Sequence, residues 1–222
     1  MVLLAVDTSG KYGSIALAQC GPEDDCRVLE VVPLRGGTFS AQLVPQIAEL
    51  LQKHGIGKHE IGAFAVASGP GSFTGLRVGL AAVKALAEAL RRPIVAVSLL
   101  EAVAAIAKAE GGILAALDAG RGEVYAGECA TGTFAASSER LLTKDEFLNA
   151  AKGLVVVTPD KSVADLASAA RVSVREVERP HSGLIARLGW SKIRTGQTTL
   201  SEDLDANYIR RADAEILTKS GS

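Results

Sequence analysis

The stretch Gly69-Pro-Gly-Ser-Phe-Thr-Gly-Leu-Arg-Val-Gly79 constrains this chain more than any other. An apolar run, Ile61–Ala67, precedes it, and a helical pattern follows to about Leu90, with Leu76, Leu80, Val83, Ala87 and Leu90 in one stripe. A strand must therefore turn sharply into a helix here. Glycines at such a junction permit two things. They let the backbone approach a ligand, with the free N–H groups of the helix start turned to an anion. They equally let another segment of the chain pack where a side chain would collide. The spacing is neither GxxxxGK[ST] nor GxGxxG, so neither nucleotide motif applies. Ser72 and Thr74 are of the residue types that cap helices, and no histidine lies near them in sequence to act as a base.

Around this junction the pattern predicts an α/β chain. Val2–Val6 reads as a strand covered on both faces. With Ser14–Ala18 and Arg27–Pro33 it forms an antiparallel meander joined by short polar turns. A helix over Ser40–His54 follows, with Leu43, Ile47 and Leu50 spaced for one face, and Pro45 either starts or kinks it. Ile94–Val97 is a strand and Leu99–Lys108 a helix. The order β-β-β-α-β-α-β-α resembles the ribonuclease-H-like pattern on which the sugar-kinase/actin superfamily is built. The expected fold is therefore two ribonuclease-H-like or actin-like lobes, mixed sheets flanked by helices, the second lobe reduced. The lobes divide as residues 1–108 and 109–222, and the last segment is a candidate to return to the first lobe. The second lobe should hold strands Ile113–Asp118, Glu123–Cys129 and Leu154–Thr158, with helices near Lys144–Ala151, Ser162–Ala170 and Ser182–Thr195. Leu200–Leu217 reads as loop and a short helix.

Composition narrows the chemistry. Hydrophobic residues make up 48% of the 222 residues and aromatics only 4%, so the apolar mass is small and aliphatic, suited to closely packed layers rather than to stacking on bases. A net charge of −1 argues against a protein that grips a nucleic-acid backbone alone. The basic residues Lys192, Arg194, Arg210, Arg211 and Lys219 are diluted by acidic neighbours. Three cysteines without a CxxC make a disulfide framework a poor reading and a reducing cytoplasm the simpler one. Val2–Val6 is too short for a signal core or a membrane span.

Four segments in order carry a family resemblance: Val6-Asp7-Thr8-Ser9, the Gly69–Gly79 stretch, Asp118-Ala-Gly-Arg-Gly-Glu-Val-Tyr125 and Tyr208-Ile-Arg-Arg211. They resemble the signature of the TsaB family, also called YeaZ. The resemblance implies a non-catalytic subunit that binds and activates TsaD, the paralogue that transfers a threonylcarbamoyl group to adenosine in tRNA. It implies pairing through helices of the first lobe, with TsaE joining a larger complex, a homodimer in isolation, and only indirect or weak contact with tRNA. On those helices the partner-facing candidates are Val44, Ile47, Leu51, Arg77, Val78, Leu80 and Lys84. TsaD carries an HxxxH metal motif after the same loop. Here Leu99 and Val103 stand in those places, and neither ligates a metal. His54, His59 and His181 have no ligand spacing. No metal or cofactor is expected.

What would remain of a nucleotide site is Asp7, Thr8, Ser9, Gly69, Gly71, Ser72, Thr74, Gly75 and Asp118. Asp7 and Asp118 each end a predicted strand, where ligand sites gather in α/β sheets, though Asp is also an ordinary turn residue. The alternative reading is a metal- or ATP-dependent enzyme of the glycoprotease-like or small-molecule-kinase type.

Overall fold

The computed structural model describes residues 1–22, 25–107, 111–130, 133–134, 139–207 and 209. They fall into two compact units, Met1–Ala102 with Arg179–Ala206, and Val103–Glu178 with Asn207. The first stretch ends at Ala102, six residues before 108, and the segment from Arg179 packs with the first unit. Among the described residues no helix is long and apolar enough to cross a membrane.

The first unit is built on β1 (Val2–Asp7), β2 (Tyr12–Cys20), β3 (Cys26–Arg35), β4 (Ile61–Gly69) and β5 (Ile94–Ser98), in the order β3-β2-β1-β4-β5. β1, β2 and β3 run antiparallel as the expected meander, while β1, β4 and β5 are parallel. Parallel neighbours need crossovers, and α1 (Phe39–Lys53) and α2 (Phe73–Leu90) supply them. α1 begins six residues before Pro45, which lies inside the helix rather than at its start. α3 (Leu99–Ala107) follows β5, and Lys108 lies outside the described residues.

The two faces of this sheet are filled differently. Val6 pairs with Val66 and Ala5 with Ala65, so alternation puts Leu4, Val6, Phe64 and Val66 on the α2 side and Leu3, Ala5, Ala63 and Ala65 on the other. α6 (Ser182–Arg194) lies on that second face, in contact with all five strands. Its buried residues are small, Ser182, Gly183, Ala186 and Gly189, with Ile185 among them. A Cβ on Gly189 would stand 2.7 Å from that of Ala65. The alanine-rich composition thus allows a helix to lie almost directly on the sheet backbone.

The second unit has β6 (Ile113–Gly120), β7 (Glu123–Ala130), β8 (Thr133–Phe134), β9 (Arg140–Thr143), α4 (Lys144–Ala150), β10 (Val155–Thr158), α5 (Lys161–Ala169) and β11 (Val174–Glu176). The sheet order is β11-β10-β6-β7-β8, with β9 also pairing to β7. Its core gathers Leu114, Ala116, Val124, Ala126, Leu142, Phe147, Val156 and Val163. β6 and β7 are joined by Arg121 and Gly122, both at positive φ (59° and 79°). A two-residue hairpin connection requires this to match the strand twist. Three short strands, β8, β9 and β11, go beyond what the sequence pattern predicts. Each is four residues or fewer, below the length at which alternation can be read.

Candidate functional site

β1 ends on Asp7, whose carboxylate is buried (5% exposed). Its Oδ1 accepts from the Ser9 backbone N–H at 2.9 Å and from Ser9 Oγ at 2.5 Å, the local bonding of a turn. Burial pushes the Asp7 carboxyl above its ordinary value. The Ser9 bonds and the charge of Arg179 oppose that without cancelling it. His181 caps α6, its Nδ1 accepting from the Gly183 N–H at 3.1 Å.

The Asp7–Ser9 turn lies against the start of α2, and the glycines explain how. A Cβ on Gly71 would stand 2.5 Å from the Ser9 carbonyl oxygen, and one on Gly75 would overlap the Thr8 carbonyl oxygen. A Cβ on Gly79 would strike Thr8 Oγ1. Gly75 and Gly79, four residues apart on one face of α2, and Gly71 just before the helix leave a bare strip against which the turn packs. The polar groups there are matched within the chain. Ser72 N–H donates to the Ser9 carbonyl at 2.6 Å and Thr8 Oγ1 donates to the Gly75 carbonyl at 2.7 Å. Ser72 Oγ caps α2 by accepting from the Gly75 N–H at 3.3 Å. Of the two uses a glycine-rich junction permits, close packing is the one this geometry displays. Gly69 closes β4 at φ 117°, a value only glycine adopts freely.

Seven of the nine nucleotide-site candidates therefore come together around this turn: Asp7, Thr8, Ser9, Gly71, Ser72, Thr74 and Gly75, with Gly69 at the strand end leading in. Asp118 belongs to the other unit. It is exposed, its Oδ1 accepting from the Gly120 N–H at 2.7 Å and its Oδ2 from Ser162 Oγ at 2.7 Å. Beside the turn in the first unit is a cleft of about 610 Å³, lined by Lys11, Tyr12, Arg35, Phe39, Thr74 and Val78 among others. Sequence reasoning missed Lys11, Tyr12, Arg35 and Phe39. They come from around the start of β2, the end of β3 and the start of α1, segments that the strand pairing brings together, Tyr12 standing opposite Arg35.

The partner-facing candidates divide. Val44 (53% exposed) and Arg77 are at the surface, and Val78 and Lys84 are half-buried. The Arg77 guanidinium lies 3.8 Å from the centre of the Phe73 ring, which is itself exposed. Ile47, Leu51 and Leu80 are buried inside the unit and have no surface to give a partner. Their periodicity marks the core.

Leu99 and Val103, at the start of α3, are both buried. His54 bonds Glu30 at 2.8 Å, and Lys53 bonds the same carboxylate at 2.6 Å. The hydrogen bonds from Lys53 and His54 hold the Glu30 carboxyl below its ordinary value. His59 is exposed on a 3-10 turn, Lys58–Glu60, and its carbonyl accepts from Arg92. Among the described residues no three His, Cys, Asp or Glu side chains are grouped to hold a metal ion. Lys192, one of the basic residues diluted by acidic neighbours in the sequence, is held by Glu101 at 2.6 Å and the Ala96 carbonyl at 3.3 Å. Tyr208, Arg210, Arg211 and Lys219 lie outside the described residues.

The β3-β2-β1-β4-β5 sheet with crossover helices, together with a second mixed sheet, defines an α/β protein of the ribonuclease-H-like and actin-like class. YeaZ from Pseudomonas aeruginosa shares the fold, with a TM-score of 0.72 at 26% identity over 93% of this chain and 100% of that one. In sequence the chain is 36% identical over 128 residues to the tRNA threonylcarbamoyladenosine biosynthesis protein TsaB of Bacillus subtilis. That match takes in 57% of this chain and 54% of the relative. The same protein of Escherichia coli is 34% identical over 128 residues, 56% of this chain and 53% of the other. The chain spans about half the length of these curated relatives. A family model described as TsaD, tRNA N6-adenosine threonylcarbamoyltransferase, matches residues 33–203. The chain belongs to this family, on its TsaB/YeaZ side.

Proposed function

We propose that this protein takes part in threonylcarbamoyladenosine biosynthesis on tRNA as a non-catalytic subunit that binds and activates the TsaD threonylcarbamoyltransferase. One observation carries the non-catalytic half of the reading. The loop that would cradle phosphate is filled by the chain's own Thr8–Ser9 turn, hydrogen-bonded at both ends. The names of the TsaB relatives support the pathway. The exposed apolar groups Val44 on α1 and Phe73 on α2, helices in contact with each other, support pairing through them. The same helices serve a homodimer when TsaD is absent, and TsaE joins the larger assembly. Contact with tRNA is indirect.

Reconstituted tRNA modification, with and without this chain, tests the reading. Modification should depend on the chain, and Val44→Glu should abolish co-purification with TsaD while the melting temperature stays within a degree or two of the parent, since Val44 is a surface residue. Undiminished modification without the chain would remove the activating role. Turnover of a nucleotide or peptide by the isolated chain would favour the enzyme reading instead.

A further inference from the structure

Two of the three cysteines are neighbours in space. Cys20 closes β2 and Cys26 opens β3, and the register sets them directly opposite each other. Opposed residues of an antiparallel pair stand about 4.5–5.5 Å apart at Cα, inside the range of about 4.4–6.8 Å that disulfides span. Their sulfurs are 2.6 Å apart, an S–H···S contact. The backbone holds them there. Gly21 N–H donates to the Asp25 carbonyl at 2.7 Å across the hairpin end, and Cys20 exchanges backbone bonds with Met1 at 2.8 and 2.7 Å. Cys20 is buried (2% exposed) and Cys26 half-buried on the α6 side, its sulfur 3.9 Å from the Ala186 carbonyl oxygen. Cys129 belongs to the other unit, on β7. Nothing in the proposed pairing or in the Asp7–Gly75 region uses these thiols.

We propose that Cys20 and Cys26 are a peroxide-oxidised thiol pair that closes reversibly to an intrachain disulfide. The more accessible Cys26 reacts first. Its thiolate attacks one peroxide oxygen, the O–O bond breaks, and hydroxide leaves and takes up a proton as water, giving a Cys26 sulfenic acid. The Cys20 sulfur then attacks the Cys26 sulfur. The S–O bond breaks, the Cys20 proton leaves with the hydroxyl as a second water, and the disulfide remains. Two thiols and one hydrogen peroxide become one disulfide and two waters, and the chain loses two hydrogens. The thiol bond to Cys26 and burial both push the Cys20 thiol up. Cys20 thus stays protonated and unreactive toward peroxide until the sulfenic acid forms beside it.

The test treats the purified full chain with hydrogen peroxide, quenches, denatures, alkylates and weighs it. The expected product has lost two hydrogens and carries one alkylatable thiol in place of three. Dithiothreitol restores all three, and peptide mapping joins residue 20 to residue 26. Cys129→Ser should show the same two-hydrogen loss with no thiol left. Three surviving thiols, a Cys26 carrying two or three added oxygens, or a disulfide mapping to Cys129 would each overturn the proposal. The wild-type chain alone decides, so it does not depend on a variant folding.

Discussion

Replacing Gly75 with alanine sets two effects of opposite sign against each other. Glycine inside a helix is less favourable than alanine by about 1 kcal/mol, so on propensity alone Gly75→Ala stabilises α2. Against this, the new Cβ falls far inside 3.0 Å of the Thr8 carbonyl oxygen, a backbone atom that cannot rotate away. Making room moves the Thr8–Ser9 turn off the helix. Two bonds then stretch, Thr8 Oγ1 to the Gly75 carbonyl at 2.7 Å and Ser72 N–H to the Ser9 carbonyl at 2.6 Å, each worth a net of about 1 kcal/mol. Overpacking of a filled site adds about 1–3 kcal/mol. After subtracting the propensity gain, the variant should be less stable by about 2–4 kcal/mol. At about 2–4 °C per kcal/mol for a chain of this size, the melting temperature should fall by roughly 4–16 °C. Thermal melts followed by circular dichroism measure it. Ala81→Gly, on the exposed face of the same helix, reports propensity alone and should lose about 1 kcal/mol. A Gly75→Ala protein that melts at or above the parent would mean the turn does not pack against the glycine strip.

Ser72→Ala removes the α2 cap and should lower stability by about 1 kcal/mol in urea denaturation; complete loss of tRNA modification in a folded, TsaD-bound variant would instead revive a catalytic serine. Asp7→Asn tests the buried carboxylate while keeping an oxygen to accept from Ser9. Because burial raises the Asp7 value, the native state holds this proton more tightly than the unfolded chain does. The Asp7 contribution is therefore most favourable in acid and declines as pH climbs from about 3.8 through the raised native value. The stabilities of the parent and the Asp7→Asn variant should thus diverge in favour of the variant as pH rises across that window, and a constant gap from acid to neutral pH would contradict the assignment.

The order of strands and helices along the first unit was legible because long apolar runs and helical stripes are local patterns. The glycine junction was legible as a junction, but its use was not. Whether Gly71, Gly75 and Gly79 face a ligand or the chain depends on where residues 8 and 9 lie, and those are remote in sequence. Periodicity likewise could not separate Ile47, Leu51 and Leu80 from a partner-facing surface, since an apolar stripe reads the same whether a sheet or another protein covers it. Val44 lies off that stripe, and among Val44, Ile47 and Leu51 it is the one exposed. Lys11 and Arg35 escaped notice because a single charged residue in a turn or at a strand end carries no pattern at all. The Thr143-x-x-Glu146 capping box could have marked both the end of β9 and the start of α4. Glu146 accepts from the Thr143 N–H at 2.8 Å and Thr143 Oγ1 from the Glu146 N–H at 3.4 Å.

The helix that covers the alanine face of the first sheet comes from the last part of the described chain, with the whole second unit between. During synthesis the five strands emerge well before residues 182–194 do. For that interval Leu3, Ala5, Ala63 and Ala65 line a bare apolar surface while some eighty further residues are still being added, at roughly 5–20 residues per second. The nascent chain therefore passes through a stage, several seconds long, in which it is adhesive, and a holdase chaperone would find its binding surface there rather than on the finished protein.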